Sequence, residues 1–116
     1  MNEIKDMETN RTLEILRTYN FAQKNHWQLM CDLANNDYDI DYFSGRVSVN
    51  DDFDYFLQTQ EDDFDIHKVL DWLRDTVREC YDDQKSKNQV NYQGAIDECN
   101  LLLNIANQDY LIFINS

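Results

Sequence analysis

Positions suited to a core recur at alternating spacings of four and three in the first third of the chain: Ile15, Tyr19, Ala22, His26, Leu29 and Leu33. Leu16, Trp27 and Met30 widen that stripe. This is the period of an amphipathic helix with one face turned to a core. The pattern predicts a helix beginning between residues 2 and 6 and ending near Ala34. Asn35 and Asn36 supply the stop, because asparagine tolerates the left-handed conformation common at helix C-termini.

The pattern then changes. Asp37, Asp39 and Asp41 alternate with Tyr38, Ile40 and Tyr42, the period of an extended, half-buried segment. Ser44 and Gly45 read as a turn and residues 46–49 as a short strand, so a small β-hairpin is expected there. Asn50 reads as an N-cap, with Asp51 and Asp52 favourably placed in the first turn of a short helix over residues 51–58. Phe53, Phe56 and Leu57 would share its face.

A second strong helix, capped by Asp63 or Asp65, carries Ile66, Val69, Leu70, Leu73, Val77, Cys80 and Tyr81 at helical period as far as about Asp83. Residues 84–89 form a polar connection. A third strong helix carries Tyr92, Ala95, Ile96, Cys99, Leu102, Leu103 and Ala106 on one face. The apolar run at residues 110–114 is either a strand pairing with residues 46–49 or a continuation of that helix. The expected fold is mainly α (α+β): about three principal helices with a small β-hairpin or strand element, in one domain over residues 1–116.

Composition agrees with this reading. The chain has no proline and only two glycines, so helix breakers are nearly absent. Its 42% apolar content fits a folded domain despite the charge. A net charge of −13 disfavours nucleic acid as a direct ligand and disfavours anionic membrane surfaces, while favouring cationic proteins. No apolar run reaches the length of a membrane span, and the first residues lack the pattern of a signal peptide. Three cysteines, an odd number, suit reduced thiols. Cytoplasmic residence is the expectation.

Catalytic and metal chemistry find little support. Asp37-x-Asp39-x-Asp41 opens like a calcium-binding EF-hand loop, but Tyr42 stands where glycine is needed and Ser48 where a bidentate glutamate is needed. His26, His67, Cys31, Cys80 and Cys99 show no paired ligand spacing. Cys80 and Cys99 lie on apolar faces, where a thiol behaves as a small hydrophobe, and His26 reads as an interior histidine. No glycine-rich phosphate loop is present, and no spacing selects a nucleophile and its base. The expectation is a non-enzymatic protein with no metal and no cofactor.

What stands out is residues 32–65, where eleven acidic side chains meet one base, Arg46, among seven of the fifteen aromatics. A solvating surface accounts for acid in general but not for its concentration, since crowded carboxylates repel one another and weaken folding. On an extended segment Asp37, Asp39 and Asp41 would form a ladder at a step of about 6.6 Å, of the order of the spacing between phosphates. Asp51, Asp52 and Asp54, then Glu61, Asp62, Asp63 and Asp65, form two further clusters. Lysine and arginine in a nucleic-acid groove pair well with carboxylates. Tyr38, Tyr42 and Tyr55 are suited to take the place of stacked bases or to receive arginine faces.

In this acidic, aspartate- and tyrosine-rich composition, and in residues 37–65, the chain resembles the DNA-mimic inhibitors of phages and mobile elements, such as anti-CRISPR and anti-restriction proteins. The resemblance implies a protein that blocks the groove of a basic nucleic-acid-binding protein, a nuclease or effector complex, by acidic mimicry of DNA or RNA. Those inhibitors are diverse in fold, so the resemblance assigns no residue roles. Two alternatives stand beside it: an immunity protein that neutralises a cationic toxin nuclease, and a helical adaptor or structural subunit that binds through apolar surface.

Overall fold

Asn36 separates two helices and caps the second. Its backbone is extended, its side-chain oxygen accepts the Asp39 N–H at 2.9 Å, and its Nδ2 donates back to the Asp39 carboxylate at 2.9 Å. This reciprocal pairing is a variant of the capping box. The computed structural model describes the backbone of residues 2–85 and 88–115 and the side chains of residues 11–85 and 88–108. Its elements are α1 (Asn2–Leu33), α2 (Asp37–Gln58), α3 (Ile66–Gln84) and α4 (Gln89–Asn115). Asp65 caps α3 by accepting the His67 N–H at 2.9 Å. The Asn88 side chain accepts the Asn91 N–H at the start of α4.

The architecture is all-α. The small β element expected at residues 37–49 is absent: those residues are the first half of one continuous helix, α2, which also absorbs the short helix expected over residues 51–58. Ser44 and Gly45 are therefore mid-helix and not a turn, and Asn50 is a buried interior residue and not a cap. Among the described residues four helices stand where about three principal ones were expected. The backbone of residues 110–114 continues α4, which removes the strand alternative; their side chains lie outside the described residues, as do Ser86 and Lys87 of the polar connection.

Why α2 forms is visible in what it buries. Gly45, Val49, Asn50, Phe53 and Leu57 are buried and recur at helical spacing, with Tyr42 and Arg46 partly buried beside them. Three of these seven side chains (Gly45, Arg46 and Asn50) are not hydrophobic, so an apolar pattern alone does not show the helix. The two glycines set how closely it packs. A Cβ on Gly45 would lie 1.9 Å from the Asn91 carbonyl oxygen of α4, and a Cβ on Gly94 would lie 2.0 Å from the Tyr42 carbonyl oxygen of α2. The two backbones touch there, an approach only glycine permits. Asn91 reinforces the crossing by donating to the Asp41 carbonyl at 3.0 Å.

Helix α4 packs on both α2 and α3, while α1 packs mainly on α2. Leu13 and Leu16 of α1 meet Val49, Phe53 and Leu57 of α2, Val69, Leu70 and Leu73 of α3, and Ile96, Leu102 and Ala106 of α4 in one core. Each fully buried leucine or phenylalanine contributes about 1.5–3 kcal/mol over its exposed state. Trp72 stacks on Phe53 and Phe56 with ring centroids 5.5 and 5.2 Å away, tying α3 to α2.

Among the described side chains of α1, Thr12, Leu13, Leu16 and Asn20 are buried and Trp27 is partly buried. Of the expected core stripe Leu16 is buried and Tyr19, half-buried, packs against the core, whereas Ala22, His26, Leu29 and Leu33 are exposed and Ile15 is half-buried. His26 is thus a surface residue. Tyr81, expected in the core, is also exposed.

Candidate functional site

The acidic residues singled out in the sequence fall on three parts of the structure. Asp37, Asp41, Asp51, Asp52 and Tyr55 recur along the side of α2 opposite its buried stripe; Asp37, Asp51, Asp52 and Tyr55 are exposed and Asp41 partly so. Asp54, partly buried at the margin of that side, accepts from Gln58 at 3.1 Å. Glu61, Asp62 and Asp63 are exposed in the α2–α3 connection, while Asp65 is committed to capping α3. Tyr38 and Tyr55 are exposed large apolar side chains, at 64% and 73% of their accessible surface.

The ladder dissolves. Successive residues on a helix turn about 100°, so residues two apart point to nearly opposite sides. Asp37 and Asp41 share a face, whereas Asp39 turns back to Asn36 and serves as part of the cap. Tyr42 leaves the surface set as well. Its hydroxyl donates to Asp97 of α4 and accepts from Arg46 at 2.9 Å, and burial, then the Asp97 bond, pushes its pKa up.

Two cations of α1 reach this acidic region. Lys24 meets Asp51 at 2.6 Å and Arg17 meets Glu61 at 2.9 Å, both with exposed side chains. The hydrogen bond and charge of Asp51 push the Lys24 pKa up. Asp37, Asp41, Asp52 and Asp62 have no ion-pair partner among the described residues. Partial dehydration of the Asp52 carboxyl, and then the neighbouring charge of Asp51, push its pKa up.

A second constellation was not anticipated from the sequence. Glu98 of α4 is fully buried. Arg46 donates to its carboxylate through Nε at 2.9 Å and approaches through the terminal nitrogen at 2.9 Å. Trp27 Nε1 donates at 3.0 Å and Asn50 Nδ2 at 2.8 Å. Asn50 also exchanges hydrogen bonds with Asn20, each at 2.9 Å. The Arg46 guanidinium lies over the Trp27 ring, 4.1 Å from its centroid. Both charges are thus matched by opposite charge and by directed donors, the condition a buried pair must meet. Oδ1 of Asn50 is the exception, with no hydrogen-bond partner among the described residues. Here α1, α2 and α4 are locked in register. Only residue types at odd with an apolar face, Asn20, Arg46, Asn50 and Glu98, could have signalled it.

Metal and thiol chemistry remain without a centre. Among the described residues no group of three or more His, Cys, Asp or Glu side chains is placed to hold a metal ion, and no helix is long and apolar enough to cross a membrane. Cys80 and Cys99 are buried in the core, and burial pushes the Cys99 thiol up to about 12. A thiolate nucleophile is excluded at that position. Compared with family models, with curated proteins and with solved structures, the chain finds no match in any of the three.

Proposed function

We propose that this chain is a non-enzymatic, stoichiometric protein inhibitor that occupies the groove of a basic nucleic-acid-binding protein, a nuclease or a CRISPR or restriction effector. The outer side of α2 and the α2–α3 connection are the contacting surface. One observation carries this reading: Asp37, Asp41 and Asp52, without ion-pair partners among the described residues, recur along the outer side of α2 together with the exposed Tyr55, and Asp62 stands exposed in the connection that follows. Carboxylates offered this way suit arginine and lysine side chains that otherwise bind phosphate, and Tyr38 and Tyr55 suit the faces of arginine guanidinium groups.

The charge density defines the kind of mimicry. A duplex presents one charge per about 1.7 Å of axis, so the roughly 33 Å of α2 would lie beside about twenty. The helix carries six aspartates. Asp37 and Asp41 form one pole; Asp51 and Asp52, continued by Glu61, Asp62 and Asp63, form the other. About 15 Å of helix, flanked on this side by Ser44 and Ser48, separates Asp41 from Asp51. Two separated basic clusters on the target therefore fit better than a uniformly basic track. An immunity protein against a cationic toxin nuclease would use the same surface.

The test is capture of partners from bacterial lysate on the immobilised chain with stepwise salt elution, followed by nuclease assays on what is eluted. Release of a nuclease or effector below about 0.5 M salt, where screening is already strong, together with its inhibition at a one-to-one ratio, supports the proposal. A partner that resists salt, or one whose binding is unchanged when Asp37 and Asp41 become lysine, removes it.

A further inference from the structure

The outer stripe of α1 fits a second copy of this chain better than it fits solvent. Ile15, Tyr19, Ala22, His26, Leu29 and Leu33 keep the four-three spacing of a coiled-coil seam, yet Leu29 and Leu33 are 55% and 70% exposed and Ala22 and His26 stand open beside them. The buried stripe of the same helix, centred on Leu13, Leu16 and Asn20, is already satisfied by α2 and α4. The outer stripe is thus a second seam, half-covered at Ile15 and Tyr19, where Tyr19 rests against the core, and open at Ala22, His26, Leu29 and Leu33 among the described residues.

Charge selects the occupant. Residues 15–31 contain no carboxylate, the longest such stretch in a chain of net charge −13. Two copies of so acidic a protein repel over most of their surfaces, and this stretch is where they can meet without opposing acid to acid. Its two cations, Arg17 and Lys24, are engaged by Glu61 and Asp51 of the same protomer.

Size selects the orientation. We infer that two copies pair antiparallel along the outer face of α1, about a two-fold axis near residue 24. Ile15 then opposes Leu33 of the partner subunit, and Tyr19 opposes Leu29 of the partner subunit. The smallest side chain of the seam, Ala22, opposes the partner subunit's His26. Each contact occurs twice, as a two-fold interface requires. A parallel pair would set histidine against histidine at position 26.

The seam is about 28 Å long and one helix wide, smaller than the roughly 800 Å² per partner of a standard stable interface. A reversible, concentration-dependent dimer follows. Sedimentation equilibrium of the full chain over a range from about 1 to 500 μM is the first test, with the expected result a monomer–dimer equilibrium in that range. Leu29→Glu and Leu33→Glu should each weaken the dimer at least about tenfold, because each would bury an unpaired charge. Both sites are exposed in the protomer, so an unchanged helical circular dichroism signal separates loss of pairing from loss of fold. Orientation is read by disulfide trapping in a Cys31→Ser background. Ile15→Cys mixed with Leu33→Cys should give the mixed dimer, while Leu33→Cys alone should not cross-link. A monomer at every concentration, a dimer unmoved by Leu29→Glu, or efficient trapping of Leu33→Cys with itself would overturn the inference.

Discussion

Helix α2 carries two kinds of charge chemistry on opposite sides. On its inner side Arg46 is held by Glu98, stacked on Trp27 and backed by Tyr42, with every one of these contacts supplied by a different turn or helix. On its outer side the exposed Asp37 and Asp52 and the partly exposed Asp41 have no ion-pair partner among the described residues, and Asp51 is met by one lysine. The inner charges are fixed by geometry because an unmatched charge in a core costs several kcal/mol. Water satisfies the outer ones at little cost, so their positions answer to something other than folding. That contrast is why the outer side is the functional candidate and the inner side the structural one.

The sharpest way to break the inner side is at its glycines. Gly45→Ala gains up to about 1 kcal/mol of helix propensity, but the new methyl would meet a backbone carbonyl that cannot rotate away. The clash outweighs the gain, and a net loss of at least about 3 kcal/mol is expected. Gly94→Ala should behave alike. Urea denaturation of both variants checks this, and a stability unchanged or raised would mean that the α2–α4 crossing is looser than the geometry requires.

Next in size is the buried pair. Glu98→Ala leaves Arg46 enclosed without its counter-charge and should cost about 3–5 kcal/mol. Replacing both partners by apolar residues, Arg46→Met with Glu98→Leu, should cost far less than the sum of the single changes. A double-mutant cycle measures that coupling directly. Additive losses would show that the two charges act separately.

On the outer side the expected effects on stability are small. Changing Asp37 and Asp41 to asparagine should leave the urea midpoint within about 0.5 kcal/mol of the parent, since neither carboxylate has an ion-pair partner among the described residues. Asp52→Asn should stabilise slightly at pH 7. The raised pKa of Asp52 means that the folded state binds its proton more tightly than the unfolded chain does, so ionisation costs stability above the ordinary carboxylate range. That cost disappears as pH falls through the raised value, and the difference between Asp52→Asn and the parent should vanish at pH 3. Thermal melts at the two pH values test the sign. An equal gain at both would assign the effect to something other than charge.

Thiol reactivity separates buried from open regions with the least perturbation. In the native state Cys31, which is partly exposed, should react with a thiol reagent before Cys80 and Cys99. Burial raises the pKa of both core thiols, and both should wait for unfolding. Counting sulfhydryls released with and without denaturant reads this out.

Several elements were legible along the chain because their burial is apolar and local. Helices α3 and α4 announced themselves through Val69, Leu70, Leu73, Ile96, Cys99 and Leu102, all of which are buried. The acidic surface was legible as a concentration of charge, though its geometry was not. A six-residue alternation of aspartate with tyrosine and isoleucine mimicked a strand, while the helix that actually forms there rests on a stripe containing Gly45, Arg46 and Asn50.

By itself the sequence determined that this protein is mainly helical, that its last two helices turn known faces inward, and that its acid is gathered into residues 32–65. Tertiary structure alone decided which of two equally periodic stripes of α1 is buried, and that α2 runs unbroken through residues 37–58. The reason is physical. Asn20, Arg46, Asn50 and Glu98 can enter a core only because partners 30 to 71 residues away complete their hydrogen bonds, and no local period records a partner that distant.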